Sequence, residues 1–159
     1  MILIDKILTE LKSLPEYGTQ IGLQGWNKHT DPFEACGKTA ELKKSETEYT
    51  VPLFDIPYTN SIIKELGLYR TRLMNMKPVS CYSYHKDYSK RIHIPLITNE
   101  KCFFVINGEA VWTPADGNYY EIDTTQMHTF VNGSFQHRLH IVGNIGRQYT
   151  EEELTDDTK

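Results

Sequence analysis

The sequence has little from which to build a disulfide scaffold, a nucleic-acid surface or a membrane segment. Its three cysteines, Cys36, Cys81 and Cys102, are odd in number and never form a C-x-x-C pair, which excludes a disulfide framework and a thiolate zinc site as organising features. A reducing cytoplasm is the expected compartment. Lys and Arg number 17 against 21 Asp and Glu, for a net charge of −4 with no basic block. Such a chain has no field for sequence-independent binding of phosphate backbones, so nucleic acid is not an expected partner. No apolar run is long enough to span a bilayer, and Asp5, Lys6 and Glu10 break the apolar start before it could form a signal core. A soluble protein without a membrane partner is expected.

Internal repeats and long helical runs are also missing, whereas ten tyrosines and six phenylalanines suit a pleated surface. A length of 159 residues fits one domain with one core. Ile4, Ile7, Leu8, Leu11 and Leu14 recur at helical spacing up to Pro15, which predicts a short amphipathic helix. A strand over 20–26, a long polar loop over 27–50 and a helix over 57–66 ended by Gly67 follow. From Leu68 the period falls to two, with strands expected at 68–76, 79–85, 91–97, 101–106, 109–112, 119–122, 127–131 and 138–142. About eight such strands predict a mainly β fold, a double-stranded β-helix or jelly roll of cupin-like form with a few short covering helices. The expected organisation is a single domain over 1–150, with the helix and loop inside 1–67 and a catalytic β core over 68–145. Residues 151–159 are expected to be an acidic, disordered tail.

Residues i and i+2 share a strand face, which pairs His85 with Asp87, Arg91 with His93, and Arg138 with His140. The opposite faces carry Ile92, Ile94 and Leu96, and Leu139 and Ile141. If those apolar faces pack outward against helices, the polar faces point into the barrel, where unpaired charge is costly. A divalent metal with an anionic ligand would compensate them. His85, Asp87 and a distant His128 supply two imidazoles and one carboxylate and leave coordination positions open, the arrangement used for non-haem Fe(II) oxygen chemistry. Arg138 follows His128 by ten positions, a span that a hairpin around Asn132 to Ser134 could close, and its planar guanidinium suits bidentate capture of a carboxylate.

This ordered set resembles the aspartyl/asparaginyl β-hydroxylase and proline hydroxylase family of 2-oxoglutarate oxygenases. The likeness runs from about Tyr69 to Asn144 through Met76-Lys77-Pro78, His85-Lys86-Asp87, Arg91-Ile92-His93-Ile94-Pro95-Leu96, Asp123 to His128, and Arg138-Leu139-His140-Ile141-Val142. The resemblance implies a jelly-roll dioxygenase in which His85, Asp87 and His128 bind Fe(II), and Arg138 holds the distal carboxylate of the cosubstrate 2-oxoglutarate, with O2 consumed. It further implies cosubstrate roles for Arg91 and His93. Some members acting on aspartyl and asparaginyl residues lack the acidic ligand. Because Asp87 is present, the chain looks more like members with a complete triad, including proline hydroxylases, and the aspartyl/asparaginyl specificity is not carried over.

The expected activity is hydroxylation of an unactivated C–H bond of an amino acid, free or within a peptide or protein. Two rivals use the same residues differently: a cupin-type metalloenzyme that needs no 2-oxo acid, and a non-catalytic jelly-roll module that binds a ligand on the polar face. Arg70 and Arg72 share a strand face and are candidates to grip a substrate carboxylate, and Asn132, on the parity of His128, is a third substrate candidate beside its ordinary role in a turn. Trp26, His29 and Asp31 lie in the long loop that could form a lid. Tyr82 and Tyr84 read as packing residues, and Cys81 and Cys102 as small core residues.

Overall fold

A computed structural model describes residues 1–155 of the chain. The helix α1 (Ile4–Leu11) buries Ile7 and ends short of Pro15. It meets α2 (Pro57–Glu65), whose first backbone amides, those of Tyr58 and Thr59, donate to the Glu10 carboxylate at 2.9 and 2.8 Å. The capping carboxylate thus satisfies donors that the first turn leaves open. Gly67, at φ +67°, ends α2 in the left-handed region that its missing Cβ allows.

The strands are β1 (Gln20–Gly22), β2 (Gln24–Gly25), β3 (Val51–Pro52), β4 (Tyr69–Met76), β5 (Ser80–Cys81), β6 (Lys90–Ile97), β7 (Cys102–Ile106), β8 (Glu109–Val111), β9 (Tyr120–Ile122), β10 (His128–Asn132) and β11 (Arg138–Ile145). A five-stranded sheet runs β1-β4-β11-β6-β9, a four-stranded sheet runs β5-β10-β7-β8, and β2 pairs with β3, all antiparallel. The two larger sheets face each other as a jelly roll. Met76 and Ile122 from the five-stranded sheet share a core with Cys102, Phe104 and Phe130 from the other. A second core lies on the outer face of the five-stranded sheet, where Ile92, Ile94, Leu96 and Ile141 pack with Ile7 and Ile63 of the helices. The covering helices therefore take the apolar faces, and the polar faces of β6 and β11 turn inward, as the alternation requires.

Several expectations of local structure fail. The strand expected over 79–85 stops after Cys81, and beyond it only His85 pairs, as an isolated bridge to His128. Asp87 lies in no strand. β10 and β11 are not a hairpin, because the turn between them carries the chain from one sheet to the other. The 27–50 segment is ordered by 3-10 turns at Pro32–Ala35, Thr39–Glu41 and Glu46–Glu48. It lies close on β1, where a Cβ at Gly22 would fall 2.6 Å from both the Pro32 carbonyl oxygen and the Ala35 Cβ. Of the tail expected to be disordered, Glu151–Thr155 forms a short helix, α3, and residues 156–159 lie outside the described residues. No helix among the described residues is long and apolar enough to cross a membrane.

Candidate metal centre and its cavity

His85 and His128 are brought together by the backbone. Each donates its amide to the other's carbonyl at 2.9 Å, and their rings lie 4.4 Å apart. Asp87 is fixed two residues on by its own amide, which donates to the Thr124 carbonyl at 2.7 Å. One donor atom from each of the three residues falls within 4.8 Å of the others. Asp87 Oδ1 lies 3.5 Å from His85 Nε2, and Oδ2 lies 3.4 Å from His128 Nε2. Ligand atoms sharing one ion at about 2.0–2.2 Å are separated by roughly 3 to 3.5 Å, so the spacing fits a single ion. In both imidazoles Nδ1 faces a backbone carbonyl, Ser83 at 2.6 Å and Gln126 at 2.8 Å. Donation to those carbonyls puts the proton on Nδ1 and leaves the Nε2 lone pairs aimed at the shared point.

The charges around the carboxylate offset its burial. Burial opposes ionisation of Asp87, yet the Arg91 guanidinium at 3.0 Å and the two imidazoles hold it well below the usual carboxylate range. Its Oδ2 is buried and makes no hydrogen bond among the described residues, an open lone pair that a cation would take up. Asp87 in turn raises the His85 imidazole above its ordinary value.

These groups open on a cavity of about 550 Å³ between the sheets. Arg138 reaches into it from β11, 1 % exposed, with its guanidinium carbon 3.8 Å above the Phe130 ring. That stacking positions the charge by a cation–π contact. Burial lowers the guanidinium to about 10, and its Nε and Nη1 have no hydrogen-bond partner among the described residues. His93 also lines the cavity and shares a 3.0 Å Nδ1···Nδ1 contact with buried His140. Burial, followed by the Arg138 charge, depresses both imidazoles well below their ordinary value. The contact requires one Nδ1–H to donate to the other ring's Nδ1 lone pair, so at least one of the two rings is neutral.

The substrate candidates separate. Arg72 lines the cavity. Arg70 does not: it sits at φ +48° where β4 has one residue more than β11 between paired positions, and such a bulge redirects a side chain. Its guanidinium is spent on Glu46, Thr39 and the carbonyls of Ala35 and Gly37. Asn132 is also withdrawn, because its amide group donates to Lys77 and Gln136 carbonyls and its oxygen accepts from the Ser134 amide. The turn consumes every polar atom it has. Trp26, His29 and Asp31 lie off the cavity wall, Asp31 capping the Pro32–Ala35 turn. The wall instead takes Gln20, the 37–40 segment and Tyr82. Tyr82 and Tyr84 are exposed rather than packed, as is Cys81, whereas Cys102 is buried as expected. An aromatic pair in an irregular segment beside a metal-ligand motif was the available signal for Tyr82.

Residues 4–147 match the family model described as aspartyl/asparaginyl beta-hydroxylase, a likeness that extends well before Tyr69. No curated protein gives a significant match. Among solved structures, the plu4264 protein of Photorhabdus luminescens is similar over 53 % of this chain at 14 % identity and a TM-score of 0.40; the match spans 64 % of that protein, less than two thirds of its length. A cupin domain of an XRE family transcriptional regulator from Enterobacter cloacae is similar over 53 % of this chain and 87 % of its own, at 15 % identity and a TM-score of 0.38.

Proposed function

The chain belongs to the aspartyl/asparaginyl beta-hydroxylase family, and from that premise we propose that it is an Fe(II)- and 2-oxoglutarate-dependent dioxygenase that hydroxylates an unactivated C–H bond of an amino acid, free or within a peptide or protein. The observation that carries the reading is the convergence of His85, Asp87 and His128 on one point, with an unpartnered carboxylate oxygen there and an unpartnered guanidinium in the same cavity.

His85, Asp87 and His128 would hold the metal through two Nε2 atoms and a carboxylate, a set that suits Fe(II) and leaves room for further ligands. Bound there, Fe(II) supplies with 2-oxoglutarate and O2 the oxidising chemistry that converts C–H to C–OH, with succinate and CO2 as coproducts. Arg138 binds the distal carboxylate of the diacid, its orientation fixed by Phe130. His93 offers a neutral ring to the same ligand, and its contact with His140 fixes how that ring is turned. Arg91 keeps Asp87 ionised and in place at 3.0 Å. The buried Phe104 and Phe130 side chains give the cavity an apolar wall.

Succinate formation from 2-oxoglutarate in the presence of Fe(II) and O2, and metal-dependent binding of 2-oxoglutarate without O2, test the reading together. Absence of both in folded protein would remove it. A cupin metalloenzyme without a 2-oxo acid would bind the metal and give Arg138 no diacid to hold.

A further inference from the structure

Arg72 is a buried charged group of the cavity that the chemistry above leaves unused, whereas Lys38 and Lys86 line it from less buried positions. Arg72 is 2 % exposed, and only its Nη1 has a partner, the Gln20 side-chain oxygen at 3.3 Å. Nε and Nη2 are buried without a hydrogen bond among the described residues. These two N–H groups lie on one edge of the guanidinium and point the same way, which is the edge that grips a carboxylate through two parallel bonds. The neighbouring arginine, Arg70, has its Nε, Nη1 and Nη2 all engaged. The contrast marks Arg72 as a receptor and Arg70 as a fastening.

Strand register separates Arg72 from Arg138. Arg138 pairs with Met76 on β4, and Val142 pairs with Arg72, so the two arginines project four residues apart along the same inner face. At about 3.3 Å per residue that is roughly 13 Å of backbone, more than a five-carbon diacid spans. Val142 is also paired with His93 on its other side, which places Arg72 in the row of His93, one row along from that of Arg91. Charge points the same way. Asp87 is the only acid among the described lining residues, against Lys38, Lys86, Arg72, Arg91 and Arg138. A divalent cation and a doubly charged diacid cancel one another and leave the positive excess for a third species to balance.

We propose that Arg72, oriented by Gln20, binds the carboxylate of the molecule to be hydroxylated, and that this molecule is a free carboxylic acid of amino-acid size. The inference rests on the oxygenase reading in assigning Arg138 to the cosubstrate. A cavity of about 550 Å³ encloses a diacid and one small molecule beside it. The 37–40 segment of the cavity wall is tied down by Arg70 at Gly37 and Thr39, which favours a ligand that enters whole.

The probe is a panel of the twenty L-amino acids and their C-terminal carboxamides, titrated calorimetrically into protein loaded with Mn(II) and 2-oxoglutarate without O2. At least one free acid should bind, with its amide weaker by fiftyfold or more. Arg72→Met should abolish acid binding while 2-oxoglutarate affinity stays within about twofold. Gln20→Glu, at a half-buried position, should neutralise the arginine from its Nη1 side and weaken the acid at least tenfold; it decides the matter if Arg72→Met does not fold. Equal binding of acid and amide, binding only of peptides with internal acidic residues, or no binding by any member of the panel would overturn the proposal. So would loss of 2-oxoglutarate affinity in Arg72→Met. Failure of wild-type protein to bind 2-oxoglutarate would instead remove the oxygenase reading, and the acid–amide comparison without cosubstrate would then still decide Arg72.

Discussion

Arg70 and Glu46 form an ion pair with Nη1 and Oε2 2.7 Å apart and side chains only 1 % and 2 % exposed. Asn144 donates to the same Glu46 oxygen, and the remaining guanidinium donors hold the loop at Ala35, Gly37 and Thr39. The pair is therefore a brace behind the cavity wall. Removing one partner of a buried pair strands the other charge, at a cost of about 3–5 kcal/mol. Glu46→Ala should lose stability of that order in urea denaturation, and a loss below about 1 kcal/mol would show that the brace is not under load.

The metal donors should act as a set. His85→Ala, Asp87→Ala and His128→Ala should each weaken Mn(II) binding by at least about a hundredfold, as read by electron paramagnetic resonance of the free ion, since each takes away one of three ligands. Asp87→Ala should be the most damaging to the metal-free fold, because it also leaves Arg91 without the carboxylate 3.0 Å away. Near-normal binding in His85→Ala, the most exposed donor, would take that residue out of the site.

Arg138→Met should keep metal binding and lose the diacid. Truncating one side of a buried charge-assisted pair typically costs about 2–5 kcal/mol, which is roughly a thirtyfold or larger fall in 2-oxoglutarate affinity. Calorimetry with Mn(II)-loaded protein measures it. An unchanged affinity would contradict the cosubstrate assignment alone.

The buried imidazoles make the metal-free protein acid-sensitive. His93 and His140 are depressed by burial, so below about pH 6.5 the unfolded chain binds protons that the folded chain refuses. Stability contributed by the neutral pair is complete above that pH and is lost as pH falls, by up to about 1.4 kcal/mol per pH unit for each ring. His85 works oppositely, because its raised value adds stability below about pH 6.5 that disappears as pH rises through its folded value. Denaturant titrations at pH 5.5 and 7.5 (about one unit either side of the free imidazole value) should show His140→Phe losing less stability on acidification than wild type. An equal loss in both would mean that the pair is not the source.

Much of the fold was legible because the sequence alternates strictly where both faces of a sheet are occupied. Ile92, Ile94 and Ile141 announce an outer core, and Arg91, His93, Arg138 and His140 an interior that tolerates charge. The metal-donor set was readable for the same reason, helped by the fixed chemistry of two imidazoles and a carboxylate. Local spacing could not show that Asp87 leaves the strand or that the link from His128 to Arg138 changes sheets. Those are properties of long-range pairing, invisible to a window of a few residues.

The fate of the two neighbouring arginines shows the limit most clearly. Period two gives Arg70 and Arg72 one face and one role, but a single extra residue in β4 and a positive φ at Arg70 divide them. Nothing in the type of either residue signals the bulge. Likewise, a polar stretch over 27–50 reads as loose, whereas Gly22 lets it settle on β1 and Arg70 ties it down.

The mutual amide bonds of His85 and His128 lie where the chain leaves one sheet for the other, and Asp87 is pinned to the stretch that makes the return crossing. An ion seated there is a rivet through a seam. Its affinity becomes mechanical closure of the barrel mouth, so stripping the metal should speed amide exchange at 83–89 and 124–128 before the helices or the outer core respond.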